Sequence, residues 1–226
     1  MDLGKDFERY YVKHLGKPSL NLHYFENQIE ASMTPYILEE REMRVTQMDI
    51  FSRLMRDRLL WVAGVVNDTM STIVQAQLMF LDSTDKTDIT MHIDSPGGSV
   101  KSGLSMVDVM NYISCDIRTV NTGMAASMGS VLLGAGTKGK RSSLRFSKTM
   151  LHQSSGGAVG NIQDAEITMK EWIKTNDTLF ELLGEYCNKS PEQVKQDSSR
   201  DLWLDSQEAL DYGIIDEIVK SKKKKG

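Results

Sequence analysis

Residues 88–130 read DITMHIDSPGGSVKSGLSMVDVMNYISCDIRTVNTGMAASMGS, and this stretch decides the fold. Asp88–Ser95 has the composition of a strand, and Pro96-Gly97-Gly98 is a tight turn that opens a helix running through Ile113. Ile117–Thr122 is a second strand, after which Gly123-Met124-Ala125-Ala126 leads into a helix starting near Ser127. The same rhythm extends outward in both directions. Upstream, Leu59–Val66 (LLWVAGVV) is a short apolar strand, and Asn67/Asp68 offer an N-cap for a helix through about Leu81. Downstream, Leu144–Gln153 reads as strand, and a long amphipathic helix follows from about Asn161 to Cys187, with Ile162, Met169, Trp172, Ile173, Leu179, Leu183 and Tyr186 at helical spacing. Ser190-Pro191-Glu192-Gln193 is a capping box with proline at the first helical position. Asp205-Ser206-Gln207-Glu208 opens the last helix, which Gly213 stops before a closing strand Ile214–Val219. Strands and helices alternating through short connections predict an α/β fold on a mainly parallel sheet.

The ends read differently. Residues 1–33 are polar and aromatic without a sustained period, and Thr34–Met48 is expected to be an irregular or weakly paired arm. Residues 220–226 are a lysine-rich tail of the kind that usually stays solvated. The 226 residues carry 27 Lys+Arg against 31 Asp+Glu, a formal net charge of -4, so no basic surplus exists to neutralise phosphates and nucleic-acid binding is not expected. Cys115 and Cys187 stand far apart, which excludes a disulfide framework and the standard zinc spacings. The opening MDLGKDFERYYVKHLGK lacks an apolar signal core, and no apolar run is long enough for a bilayer span. A cytoplasmic chain with no membrane partner is therefore expected.

Ser127 is the first residue that could do chemistry. It lies between a strand and a helix among small residues, and Ala125-x-Ser127-x-Gly129 keeps the spacing of a nucleophile elbow. The same pattern also accommodates an N-cap serine on a closely packed helix. Gly97-Gly98 lets backbone approach a ligand, or is simply a strand-to-helix turn. It is not a phosphate loop, because Ser99-Val100-Lys101 follows where such a loop needs Gly-Lys-Ser/Thr. A serine nucleophile needs a base, and His152, near a strand end and beside a glycine-containing loop, suits that role best. His14 and His23 lie in the N-terminal extension, and His92 reads as a half-covered strand residue. Asp201 has no capping role and precedes Leu202-Trp203-Leu204, which could bury it as an orienting acid; a surface aspartate is the plainer alternative.

Taken together, IFSRLMRDRLLWVAGVVND, FLDSTDKTDITMHIDSPGGSV, GMAASMGSVLLGAGTKGKR, MLHQSSGGAVG and RDLWLDSQEALDYGIIDEIV resemble the proteolytic subunits of the Clp protease, the ClpP family, over about residues 34–219. The resemblance implies a crotonase-like fold whose protruding handle covers about residues 153–187 of a peptidase domain at 51–219. It also implies Ser127 as nucleophile, His152 as general base and Asp201 as orienting acid, with an oxyanion hole from the Gly98 and Met128 amides and no metal or cofactor. By the same resemblance the chain stacks as two heptameric rings and receives unfolded proteins from a hexameric AAA+ ATPase, which alone uses ATP. Residues 1–33 would be a propeptide and 34–50 an arm at the axial pore. Three places depart from the family pattern. Ser154 replaces a usual proline and is expected to loosen the loop behind the base. Thr90 and His92 stand where aromatic residues often line the ATPase docking pocket, and Ser199 replaces an acidic residue beside the triad acid. Two other readings compete: a poorly active ring subunit of a mixed Clp complex, and a crotonase-type acyl-CoA enzyme, for which no clear catalytic carboxylates are present.

Overall fold

The computed structural model describes residues 36–41, 44–155 and 161–220. The expected propeptide, the Gly156-Gly157 pair and the lysine run from Ser221 lie outside the described residues. The chain divides into two compact units, residues 1–54 and 55–226. The described part of the first is a hairpin of β1 (Tyr36–Arg41) and β2 (Arg44–Asp49), followed by the start of α1 (Ile50–Arg56). Where an irregular or weakly paired arm is expected, the hairpin runs in unbroken antiparallel register from Tyr36↔Asp49 to Arg41↔Arg44. Pairing satisfies the backbone groups that each strand turns toward the other, which an unpaired arm would leave to water.

The second unit is built on one seven-stranded sheet. β3 (Leu59–Ala63), β4 (Ile89–Ser95), β5 (Ile117–Ala126), β6 (Arg141–Ser143) and β9 (Glu217–Ile218) are parallel in that order. Their crossovers begin with α2 (Asp68–Thr84), α3 (Val100–Tyr112) and α4 (Met128–Gly134); α5 (Ile162–Cys187), α6 (Pro191–Asp197) and α7 (Ser206–Tyr212) follow later in the chain. This is the α/β architecture that the alternation predicts. Apolar residues on one sheet face, among them Leu60, Val62, Ile89, Met91 and Ile93, bury against Val74, Leu78, Met106 and Met110 of the helices. Each such side chain removed from water is worth about 1.5–3 kcal/mol.

Helix starts follow local chemistry. The side chains of Asn67, Ser99, Asn161 and Ser190 each accept an N–H of their helix's first turn, contacts worth about 1 kcal/mol apiece. Asp205 and Glu208 complete a reciprocal capping box. The box expected at Ser190 is only half made, because the Gln193 amide donates to Asp197 instead.

Two irregularities lie close to Ser127. The β4–β5 register shifts between Ile93↔Asn121 and Ser95↔Ala125, so β5 does not end at Thr122 as expected but bulges and continues to Ala126. Asp94 holds the bulge by accepting the Met124 N–H at 2.9 Å, and a β-carbon on Gly123 would lie 2.6 Å from that carboxylate. Such bulges re-aim the chain that follows. Beyond it β5 changes partner, pairing with β6 through Thr119–Asn121 and with β7 (Lys148–Leu151) through Met124–Ala126. The strand expected over Leu144–Gln153 is shorter, β7 alone, and a separate strand that was not expected, β6, ends just before it at Ser143. Buried Asn121 marks the fork, donating to the Lys148 carbonyl at 2.9 Å while its own carbonyl accepts the Leu144 N–H and the Ser147 hydroxyl. β8 (Leu202–Leu204) closes the sheet antiparallel to β7.

Candidate active site

Ser127 follows directly on β5 and occupies the N-cap position of α4, yet its side chain caps nothing there. Its backbone sits at φ 54°, ψ -122°, a conformation a serine holds only when its surroundings enforce it. The enforcement comes from three sides. The Ser127 N–H donates to the Met150 carbonyl of β7 at 2.9 Å, and the Ser127 carbonyl accepts the Ser130 N–H and hydroxyl. Gly97 packs so closely that an added β-carbon would meet Ser127 Cβ at 2.6 Å.

The hydroxyl freed from capping lies 2.9 Å from Nε2 of His152, which stands immediately past the end of β7. On the other side of the ring, Nδ1 is 3.4 Å from Oδ1 of Asp201, the residue before β8. The antiparallel β7–β8 pairing thus brings residues 49 positions apart to one place. Of the two readings the sequence leaves open for Asp201, burial under Leu202-Trp203-Leu204 or a place at the surface, the structure shows the second. Its side chain is 61% exposed against 24% for His152, because β8 turns Leu204 inward and leaves Asp201 at the open end.

The glycine turn faces the same place. Val66 bridges to this turn by donating to the Gly97 carbonyl and accepting the Ser99 N–H, both at 2.8 Å. That parallel-bridge pattern directs the N–H of Gly98 away from Val66. Gly98 has φ 148° and admits no side chain, since a β-carbon would fall 2.2 Å from the Val66 carbonyl oxygen. Met128 follows Ser127, and its amide nitrogen would be only 2.9 Å from a β-carbon at Gly97. A cleft of about 360 Å³, counting its open mouth, extends from Ser127 and His152; Val100, Met128, Val131, Leu179, Phe180 and Leu183 give it a mostly apolar wall. The contribution of α5 to this wall has only one signal in the sequence, the helical spacing of Leu179 and Leu183.

Ser154, in the loop behind His152, donates its N–H and its hydroxyl to Oδ1 of Asn176 at 3.0 and 2.9 Å. The same hydroxyl accepts Nε1–H of Trp172 at 2.8 Å. His92 lies elsewhere, stacked on Trp61 at 4.7 Å between ring centroids and half-covered as expected. Its Nδ1 is buried without a partner, and burial pushes its pKa down.

A serine hydroxyl, an imidazole and a carboxylate in line at the end of a parallel sheet is an arrangement serine hydrolases use. Comparison with known proteins agrees with that class and narrows it. The Clp protease family profile matches residues 40–222. The chain is 47% identical over 215 residues to the ATP-dependent Clp protease proteolytic subunit of Bacteroides fragilis (strain YCH46), covering 95% of this chain and 98% of that one. It is 43% identical over 220 residues to the subunit of the same name from Porphyromonas gingivalis, covering 97% and 99%. A third, from Ligilactobacillus salivarius, is 43% identical over 194 residues, covering 85% and 98%. The chain belongs to the Clp protease family of serine peptidases. Among the described residues no helix is long and apolar enough to cross a membrane.

Proposed function

We propose that the chain is a self-compartmentalised serine endopeptidase that cuts short peptides on its own and unfolded polypeptides delivered by a Clp-type AAA+ unfoldase. The observation that carries this reading is the 2.9 Å approach of Ser127 Oγ to His152 Nε2 at a position where the hydroxyl has no capping duty. His152 takes the hydroxyl proton on Nε2 as Ser127 Oγ attacks the peptide carbonyl carbon, and later gives that proton to the leaving amine. Asp201 keeps the other ring nitrogen protonated and stabilises the imidazolium. The Gly98 and Met128 N–H groups donate to the developing oxyanion; losing one such donor typically costs about 10²–10³ in rate. Water then repeats the cycle on the acyl-enzyme and releases the second product. The apolar wall of the cleft favours an apolar side chain next to the cut bond.

Assembly is supported by α5. Its second half buries Leu179, Phe180 and Leu183, whereas its first half exposes Ile162 (78%), Ile167, Met169 and Ile173 to solvent. Such an apolar run asks for cover by other copies of the chain. Two stacked heptameric rings, enclosing the sites in the cytoplasm, are the proposed form. ATP is consumed by the partner ATPase and not by this chain.

The second reading, a poorly active ring subunit, is favoured by the solvated Asp201 and by Thr90 and His92 on β4. Hydrolysis of a fluorogenic peptide by the wild type and by Ser127→Ala, each sized by gel filtration, separates the two. The peptidase reading expects activity in a large ring and a loss of about four orders of magnitude or more in the variant. Well-formed rings that stay inactive even with an unfoldase present would transfer support to the subunit reading.

A further inference from the structure

We infer that Ser154, Asn176 and Trp172 form a clamp that positions the base from the side of α5. This rests on His152 being the general base. The chain reaches His152 from β7, whose ladder to β5 and β8 fixes Thr149 through Leu151. Residues 152–155 belong to no helix or strand, so on this side nothing in the secondary structure restrains the imidazole. Ser154 supplies the restraint two residues on.

Its N–H and hydroxyl both donate to Asn176 Oδ1, and its hydroxyl oxygen accepts Trp172 Nε1–H. Trp172 and Asn176 are four residues apart on α5 and therefore share one helix face, which lets both reach a single serine. The serine hydroxyl donates once and accepts once, and the asparagine oxygen uses both lone pairs. The three residues depend on one another. A proline at 154 would remove both the N–H and the hydroxyl, leaving the Asn176 oxygen and the Trp172 N–H without this partner. With Ser127 held to β7 through the Met150 carbonyl and Ser154 held to α5, the Ser127–His152 distance is set by the spacing of a strand and a helix. The solvated Asp201 orients the ring, while the clamp holds its backbone. Ser154, Asn176 and Trp172 are positioning residues, since Asn176 and Trp172 act through Ser154 and Ser154 acts through the backbone of His152.

The test uses the full-length assembled chain, with peptide kinetics, the rate of Ser127 labelling by a fluorophosphonate, and the melting temperature. Asn176→Leu and Ser154→Ala are expected to lower kcat about 10- to 100-fold, the cost of misplacing a catalytic group by up to an ångström. KM should stay within about twofold, because transition-state interactions rather than uniform binding are lost. Labelling should slow in parallel. Asn176→Asp keeps an acceptor for both Ser154 groups and should restore most of the rate. The double variant should be no worse than the worse single one, since both break the same clamp. Trp172→Phe removes one N–H, keeps the ring and should show the same pattern at smaller amplitude, which serves if Asn176→Leu fails to assemble. Unchanged kcat in these variants beside an inactive Ser127→Ala would overturn the clamp and leave the peptidase reading intact, as would a loss confined to KM or equal damage in Asn176→Asp. If Ser127→Ala keeps wild-type activity, the peptidase reading itself falls and the clamp falls with it.

Discussion

Gly97→Ala removes no catalytic group and should nevertheless cost most of the activity. The new β-carbon would stand 2.6 Å from Ser127 Cβ, 2.8 Å from the Ala126 carbonyl oxygen and 2.9 Å from the Met128 amide nitrogen. All three are backbone or β-carbon atoms, so no flexible side-chain end can swing aside. Carbon atoms rest comfortably at about 3.5 Å, which means that the turn or the Ser127 segment must move by about 0.9 Å. Gly97 also has φ +93°, where alanine is strained by about 1–2 kcal/mol. A displacement of that size pulls the 2.9 Å Ser127–His152 contact out of hydrogen-bond range and shifts the amides beside it. We expect kcat to fall about 10²-fold. The assay is fluorogenic peptide turnover by assembled rings, with fluorophosphonate labelling as a direct count of competent Ser127 and a thermal melt to record folding. A variant that assembles, melts within a few degrees of the wild type and keeps kcat within about threefold would show that the glycine turn does not set the nucleophile's position.

The remaining predictions concern stability. Arg141 is 3% exposed and donates to Asp216, to the Tyr186 carbonyl and to the Gly213 carbonyl, so Asp216→Ala strands a buried guanidinium and should cost about 3–5 kcal/mol in urea unfolding. Burial pushes the Asp216 carboxyl up, but the hydrogen bonds from the Arg141 side chain and backbone outweigh it and hold the pKa below its ordinary 3.8. Stability from this pair is therefore present above 3.8 and is lost as pH falls through the lower folded value; an acid melt series in which wild type and Asp216→Asn run parallel would contradict this. His92 has the same sign from a different cause. Burial depresses its pKa below 6.5, so the unfolded chain binds the proton first and the fold loses stability as pH falls through and below that value. Melting curves between pH 8 and 5 should show a smaller loss for His92→Phe than for the wild type, and equal losses would refute it.

What is legible in the sequence is largely what is decided locally. Asn67, Ser99, Asn161 and Asp205 cap helices through residues within three positions of themselves, so their signals are complete in a short window. The end of β5 is not decided that way. Gly123 looks like a strand terminator, and only Asp94, on the neighbouring strand, makes it a bulge. Likewise the strand expected from Leu144 starts only at Lys148, because Leu144 and Ser147 bond instead to the carbonyl of Asn121 at the fork of β5. At the site, Ser127 and His152 carry sequence cues of their own, strand ends beside small residues. The exposure of Asp201 depends on which way β8 turns its side chains, and a three-residue apolar run does not declare that. The Ser154 contacts span 22 residues and depend on the rotation of α5 about its axis. The Trp172/Asn176 spacing is visible in the text, but the serine both side chains reach is not.

Ser127 sits where its own fold would prefer another residue. At φ 54° a β-carbon costs about 1–3 kcal/mol, which glycine avoids, giving back only part of it as extra freedom in the unfolded chain. Ser127→Gly should therefore melt higher than Ser127→Ala, although both lack the hydroxyl. A lineage relieved of the need to cut peptides would gain stability by exchanging this serine for glycine. Keeping it is a standing cost, met by the Met150, Ser130 and Gly97 contacts that hold the loop in shape.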